Sequence, residues 1–143
     1  MSTVSAILKD KGEGVVAIEP GASVLDAARR MNEHKIGCLV VTNNASVIGI
    51  LTERDILTRL VAGEKDAART RVSDIMTKDV LCCAPDTPLL SLRGLMQRSR
   101  IRHVPVQEQG KLRGLVSIGD LNAFETDGLN VRIHVLEEYI CRG

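Results

Sequence analysis

The chain repeats itself: residues 18–55 superimpose without a gap on residues 83–120, 65 positions further along. Both copies close on the same pattern of a glycine, two apolar residues, a hydroxyl and an aspartate. The first reads Gly49-Ile50-Leu51-Thr52-Glu53-Arg54-Asp55 and the second Gly114-Leu115-Val116-Ser117-Ile118-Gly119-Asp120. Identical pairs are Pro20/Pro85, Leu25/Leu90, Met31/Met96, Ile36/Ile101, Val41/Val106, Gly49/Gly114 and Asp55/Asp120, seven of 38. Unrelated sequences of ordinary composition would share roughly two or three. A shorter echo precedes each copy, Val4-Ser5-Ala6-Ile7-Leu8 against Val72-Ser73-Asp74-Ile75-Met76, at an offset of 68, so the first copy carries three extra residues near 9–14. Two such units, neither able to bury its own apolar face, must pack on each other.

Within copy one, residues 15–18 form a short β-branched run stopped by Glu19-Pro20-Gly21, a turn signal because proline presets φ and glycine accepts positive φ. Ser23 and Asp26 have the spacing of a capping box, and Val24, Leu25, Ala27, Ala28 and Met31 follow at helical spacing, predicting an amphipathic helix to about residue 34. Two β-rich runs, 38–42 and 47–51, flank Asn43-Asn44-Ala45-Ser46, whose asparagines suit a hairpin. A second helix is expected over 53–61, ended by Gly63. Copy two repeats this β-α-β-β-α order: a strand at 80–83, a helix at 89–98, strands at 103–107 and 112–116, and a helix from about 119. The expected organisation is therefore an α/β (α+β) fold with repeat one at 1–63, an exposed polar linker at 64–71, repeat two at 72–128 and a C-terminal helix at 129–143.

The remaining bulk properties exclude several function classes. A net charge of +1 and only two aromatic residues, Phe124 and Tyr139, give neither a field for nucleic acid nor a platform for stacking bases. The N-terminal residues lack a basic segment followed by an apolar one, and no stretch reaches the ~18 apolar residues of a membrane span, so a cytoplasmic location is expected. Cys38, Cys82, Cys83 and Cys141 lack metal-site spacing and read as reduced small hydrophobes.

The paired hydroxyl and aspartate have two readings. One is helix capping, with Thr52 at the N-cap and Asp55 three residues on. In the other, the helix N-terminus and hydroxyl receive a phosphate or ribose oxygen, while the carboxylate accepts both hydroxyls of a ribose diol. Pseudo-two-fold packing of the copies would set the two strand ends side by side and make two related clefts.

The repeat order, the Gly-apolar-apolar-Thr/Ser-x-x-Asp endings, the lead-in Val72-Ser73-Asp74-Ile75-Met76 and the run Ile101-Arg102-His103-Val104-Pro105-Val106 together resemble a tandem cystathionine β-synthase (CBS) domain pair, or Bateman module. The resemblance covers nearly the whole chain. It implies a non-catalytic regulatory sensor of AMP, ADP, ATP or NAD, less readily of S-adenosylmethionine, assembled as a homodimer and acting on an unknown regulated protein. Carried over, it places Ile50, Thr52, Arg54 and Asp55 in one cleft with Val80, Arg102, His103 and Val104. The second cleft would combine Leu115, Ser117, Gly119 and Asp120 with Val15, Val16, Gly37 and Cys38. Where copy two has Arg102-His103, copy one has Gly37-Cys38, so the second cleft is expected to lack a cationic phosphate grip. His103 would help the first most when protonated.

Two rival readings are tested against the residues. An enzyme would need a nucleophile beside a base, yet His34 and His134 read as helix residues and His103 as a strand residue or phosphate partner; Gly12-Glu13-Gly14 is too short for a phosphate loop. A ligand-free dimerisation or protein-interaction module is the other rival. Keeping aspartate in both copies argues against it, since capping alone tolerates other residues. The homodimer is expected because helical faces including Val24, Leu25, Ala28, Leu57, Leu92 and Leu121 cannot all be covered within one chain.

Overall fold

The computed structural model describes residues 2–12 and 14–126. In chain order the elements are α1 (Val4–Lys11), β1 (Ala17–Ile18), α2 (Val24–His34), β2 (Cys38–Asn43), β3 (Ser46–Thr52), α3 (Glu53–Asp55), which continues as a π-helical segment Ile56–Val61, then α4 (Val72–Ile75), α5 (Leu89–Ser99), β4 (His103–Glu108), β5 (Lys111–Ser117) and α6 (Ile118–Thr126). This is the mixed α/β repeat expected, written twice. The predicted C-terminal helix at 129–143, with His134, Tyr139 and Cys141, lies outside the described residues. Among the described residues no helix is long and apolar enough to cross a membrane.

The two copies match in detail. Each long helix ends in a left-handed residue, Lys35 or Arg100, and the next amide returns to the helix: Ile36 N–H to Met31 O at 3.0 Å, Ile101 N–H to Met96 O at 3.1 Å. Both hairpins turn on two residues of positive φ, Asn44-Ala45 and Gln109-Gly110, the geometry whose twist matches the flanking strands. Their ladders even slip at equivalent places, Val41/Thr42 and Val106/Gln107.

One strand does not repeat. In copy one β1 pairs parallel with β2, and Val40 N–H donates to Val16 O at 3.4 Å. The position equivalent to Val40 is Pro105, which has no N–H to donate, so the expected strand at 80–83 shrinks to a single bridge between Cys83 and Val106. That bridge rests on Cys83 N–H to Pro105 O and Gln107 N–H to Cys83 O, each 2.9 Å. The helix after Thr52 also differs from expectation, because its second half winds wider. The Thr58 hydroxyl donates to Arg54 O at 2.8 Å, competing for the carbonyl its own amide would use in an α-helix.

The lead-in of each copy packs on the other copy. Val72, Ile75 and Met76 join Met31, Leu39 and Leu51 in one buried cluster, while Val4, Ile7 and Leu8 join Leu92, Val104 and Leu121 in the second. The backbone contacts are reciprocal. Val72 N–H donates to Ala22 O and Ser73 N–H to Pro20 O; Val4 N–H donates to Thr87 O and Ser5 N–H to Pro85 O, at the positions 65 further on. The segment expected as an exposed linker takes part as well. Thr70 O and Ala67 O receive the Val24 and Leu25 amides at the start of α2, and Thr70 is buried.

This exchange covers, within one chain, most of the helical surface expected to require a second. Val24, Leu92 and Leu121 are each 0% exposed within a single chain, whereas Leu57 and Val61 are 62% and 61% exposed. Burying a leucine or valine side chain stabilises by about 1.5–3 kcal/mol, so swapping the lead-ins is a substantial part of what holds the copies together.

Candidate functional site: two clefts between the copies

Both hydroxyl–aspartate pairs cap helices. Thr52 Oγ1 accepts from Asp55 N–H at 3.1 Å, and Asp55 Oδ2 accepts from Thr52 N–H at 3.0 Å. In copy two Ser117 Oγ accepts from Asp120 N–H at 3.1 Å and Asp120 Oδ2 from Ser117 N–H at 2.8 Å. The capping reading is therefore realised twice, and any ligand role is added to it.

Beyond the caps the two aspartates diverge. Asp55 is 7% exposed and also accepts the Thr77 hydroxyl, at 3.1 Å to Oδ1 and 3.3 Å to Oδ2. A carboxylate has about four acceptor positions, and Thr52 and Thr77 take two of them, which leaves two for a diol. Asp120 instead pairs with Lys11, whose Nζ stands 2.7 Å from Oδ2 and 2.8 Å from Leu115 O. The ammonium and the Ser117 amide outweigh partial burial and hold the Asp120 carboxyl below the usual carboxylate range.

The first cleft has a volume of about 580 Å³ and contains Asp55 in its wall. Of the residues expected there, Ile50, Thr52, Arg54, Val80, Arg102 and His103 all line it. Val104 does not: it is 0% exposed and belongs to the second core. Strand alternation explains this, since Val104 follows His103 and faces the opposite way. The exposed Arg54, Arg100 and Arg102 line the cleft together with Glu53 and Asp79, while Ile50, Val80 and Leu81 supply apolar wall.

The second cleft is smaller, about 230 Å³, and is lined by Val15, Val16, Gly37, Cys38, Leu115 and Ser117 as expected. Gly119 and Asp120 are missing from its wall. Asp120 instead lines a separate hollow with Ile7, Ala123 and Phe124, and Lys11 lines both spaces. The expectation that this cleft lacks a cation is therefore overturned by Lys11. Sequence comparison hid it, because the echo aligns Lys9 rather than Lys11 with Thr77. The three extra residues extend α1 through Lys11, whereas α4 stops at Ile75.

His103 and Gly37 stand between the clefts and line both. Burial, then the nearby Lys11 ammonium, push the His103 imidazole below the usual 6.5, which disfavours the protonated form expected to help the first cleft most. Gly37 sits against the Glu53 carboxylate. A Cβ there would fall 2.8 Å from Glu53 Oε1, the flexible end of an exposed side chain; the positions equivalent to Gly37 and Glu53 in copy two are Arg102 and Ile118. Cys38, Cys82 and Cys83 are free thiols, and burial raises Cys38 and Cys83 to about 12, so neither is a nucleophile at neutral pH. Among the described residues no group of three or more His, Cys, Asp or Glu side chains could hold a metal ion.

Comparison with known proteins gives one consistent answer. The family model described as CBS domain matches residues 7–62 and 72–125. The mitochondrial CBS domain-containing protein CBSX3 of Arabidopsis thaliana is 34% identical over 129 residues, covering 84% of this chain; the chain spans just under two thirds, 63%, of that relative's length. The crystal structure of the CBS domain NE2398 superimposes with a TM-score of 0.83 at 38% identity, over 88% of this chain and 98% of that one. The CBS domain protein PAE2072 from Pyrobaculum aerophilum, complexed with AMP, superimposes with a TM-score of 0.75 at 27% identity, over 83% of this chain and 89% of that one.

Proposed function

The chain belongs to the CBS-domain family and carries two such domains in tandem, and from that premise we propose that it is a regulatory module that binds an adenine nucleotide in the cleft beside Asp55. The observation that carries the reading is the juxtaposition in that cleft of a nearly buried carboxylate with two acceptor positions to spare and three arginines at the rim. Asp55 accepts the ribose diol, Ile50, Val80 and Leu81 face the base, and Arg54, Arg100 and Arg102 meet the phosphates. Small-ligand clefts run about 300–1,000 Å³, a range that includes this cleft but not the second.

An AMP complex of a relative supports the ligand class. The arginine rim favours AMP, ADP, ATP or NAD over S-adenosylmethionine, which is itself a cation. The module acts by binding rather than catalysis, a reading supported by thiols held protonated. The exposed pair Leu57 and Val61 is the surface through which two copies associate. Calorimetric titration of AMP, ATP and NAD tests the ligand reading. Micromolar binding of at least one is expected, and no heat from any of the three leaves the protein-interaction module in its place.

A further inference from the structure

The two clefts satisfy the same pair of acceptors with different donors. In the first, Thr77 N–H donates to Ile50 O at 2.8 Å and the Thr77 hydroxyl donates to Asp55. In the second, the equivalent acceptors Leu115 O and Asp120 Oδ2 are both taken by the single ammonium of Lys11, at 2.8 and 2.7 Å. Thr77 is short and stays beside its carboxylate. Lys11 is long, reaches across from α1, and lines the second cleft itself.

Consequently Asp55 lines its cleft and Asp120 does not: Lys11, paired with Asp120, lines both the space bounded by Val16, Cys38 and Leu115 and the separate hollow that holds Asp120. We propose that Lys11 is a built-in occupant of the second cleft, closing it to nucleotide and making this chain a receptor for one nucleotide rather than two. A ribose entering there would have to displace an ammonium from two acceptors at once, one of them charged. It would also have to enlarge a space of about 230 Å³, below the lower end of small-ligand clefts at roughly 300 Å³. The ligand class rests on the reading proposed above; the occlusion by Lys11 rests on geometry alone.

The test is the number of AMP molecules bound per chain, by calorimetry, for wild type, Lys11→Ala and the double variant Lys11→Ala with Asp120→Ala. The expected numbers are one, two and one. Lys11→Ser, which also removes both stem and ammonium, gives the same gain if the alanine variant does not fold. Equal stoichiometry in wild type and both Lys11 variants overturns the inference, and so does a second site that survives loss of Asp120. Should wild type bind none and Lys11→Ala bind one, occlusion by Lys11 stands and the reading of the Asp55 cleft falls.

Discussion

Met76 fills the space that a side chain on Gly49 would need: its Sδ lies 2.5 Å from where a Cβ on Gly49 would stand, with Thr77 O at 3.0 Å. The relationship is reciprocal, for Leu8 Cδ2 lies 2.5 Å from the corresponding point on Gly114. Each glycine opens the strand of one copy to the lead-in of the other. The repeated glycine is thus explained by the exchange of lead-ins and needs no ligand.

Gly49→Ala is expected to destabilise the fold by about 1–3 kcal/mol, the usual cost of overpacking, because a backbone carbonyl as well as Met76 must move. Gly114→Ala meets only the flexible end of Leu8 and costs less. Urea unfolding of the two variants measures the difference. Equal losses would show that the two contacts are interchangeable and would remove the distinction.

How much of this was legible in the sequence follows from distance along the chain. Thr52 with Asp55 and Ser117 with Asp120 are three positions apart, so a local pattern carries both the cap and the candidate site. Lys11 meets Asp120 across 109 positions, and nothing in α1 marks it out except the three extra residues that push the helix one turn further. Pro105 was visible, but its effect appears only once Val40 is seen donating to Val16 in the other copy. The exchange of lead-ins was hidden for a similar reason: an echo in sequence says that two segments are equivalent, not which copy each one covers.

His103 makes stability depend on pH in a defined direction. Its folded pKa lies below the unfolded 6.5, so between the two values the unfolded chain binds more protons. The stability due to neutral His103 is fully present above about pH 6.5 and is lost as pH falls through that value toward the folded pKa. His103→Gln removes the charge change and should flatten thermal stability in this window. An unchanged slope in the variant assigns the acid loss to another group. Asp120, with its pKa below 3.8, acts only in more acidic solution, where the stability from its ionised form is lost.

Association of two copies is expected to depend on Leu57 and Val61 and not on Val24, Leu92 or Leu121, which the chain already buries. Light scattering at tens of micromolar should give the mass of a dimer for wild type and of a monomer for Leu57→Lys. A wild-type monomer, with or without AMP, would contradict the proposed surface.

Asp55 carries two duties, and two substitutions separate them. Asp55→Ala leaves Thr52 as the N-cap but removes the acceptor of Thr52 N–H and of the Thr77 hydroxyl as well as the charge. It should cost about 1–3 kcal/mol of stability for the donors left unpaired and weaken AMP by about 10- to 150-fold. Asp55→Asn retains a side-chain oxygen that can accept from Thr52 N–H, so it should melt close to wild type, yet it loses the charge-assisted bonds to the ribose diol and should still bind AMP several-fold more weakly. Arg102→Ala supplies the third arm. Arg102 lines only the Asp55 cleft and its side chain is exposed, so its loss should weaken AMP without changing the melting temperature. Asp120→Ala should leave AMP affinity intact, because its carboxylate already faces Lys11. If Asp55→Asn binds AMP as wild type does, while Asp120→Ala does not, the ribose site lies in the other cleft and the asymmetry between the copies runs the opposite way.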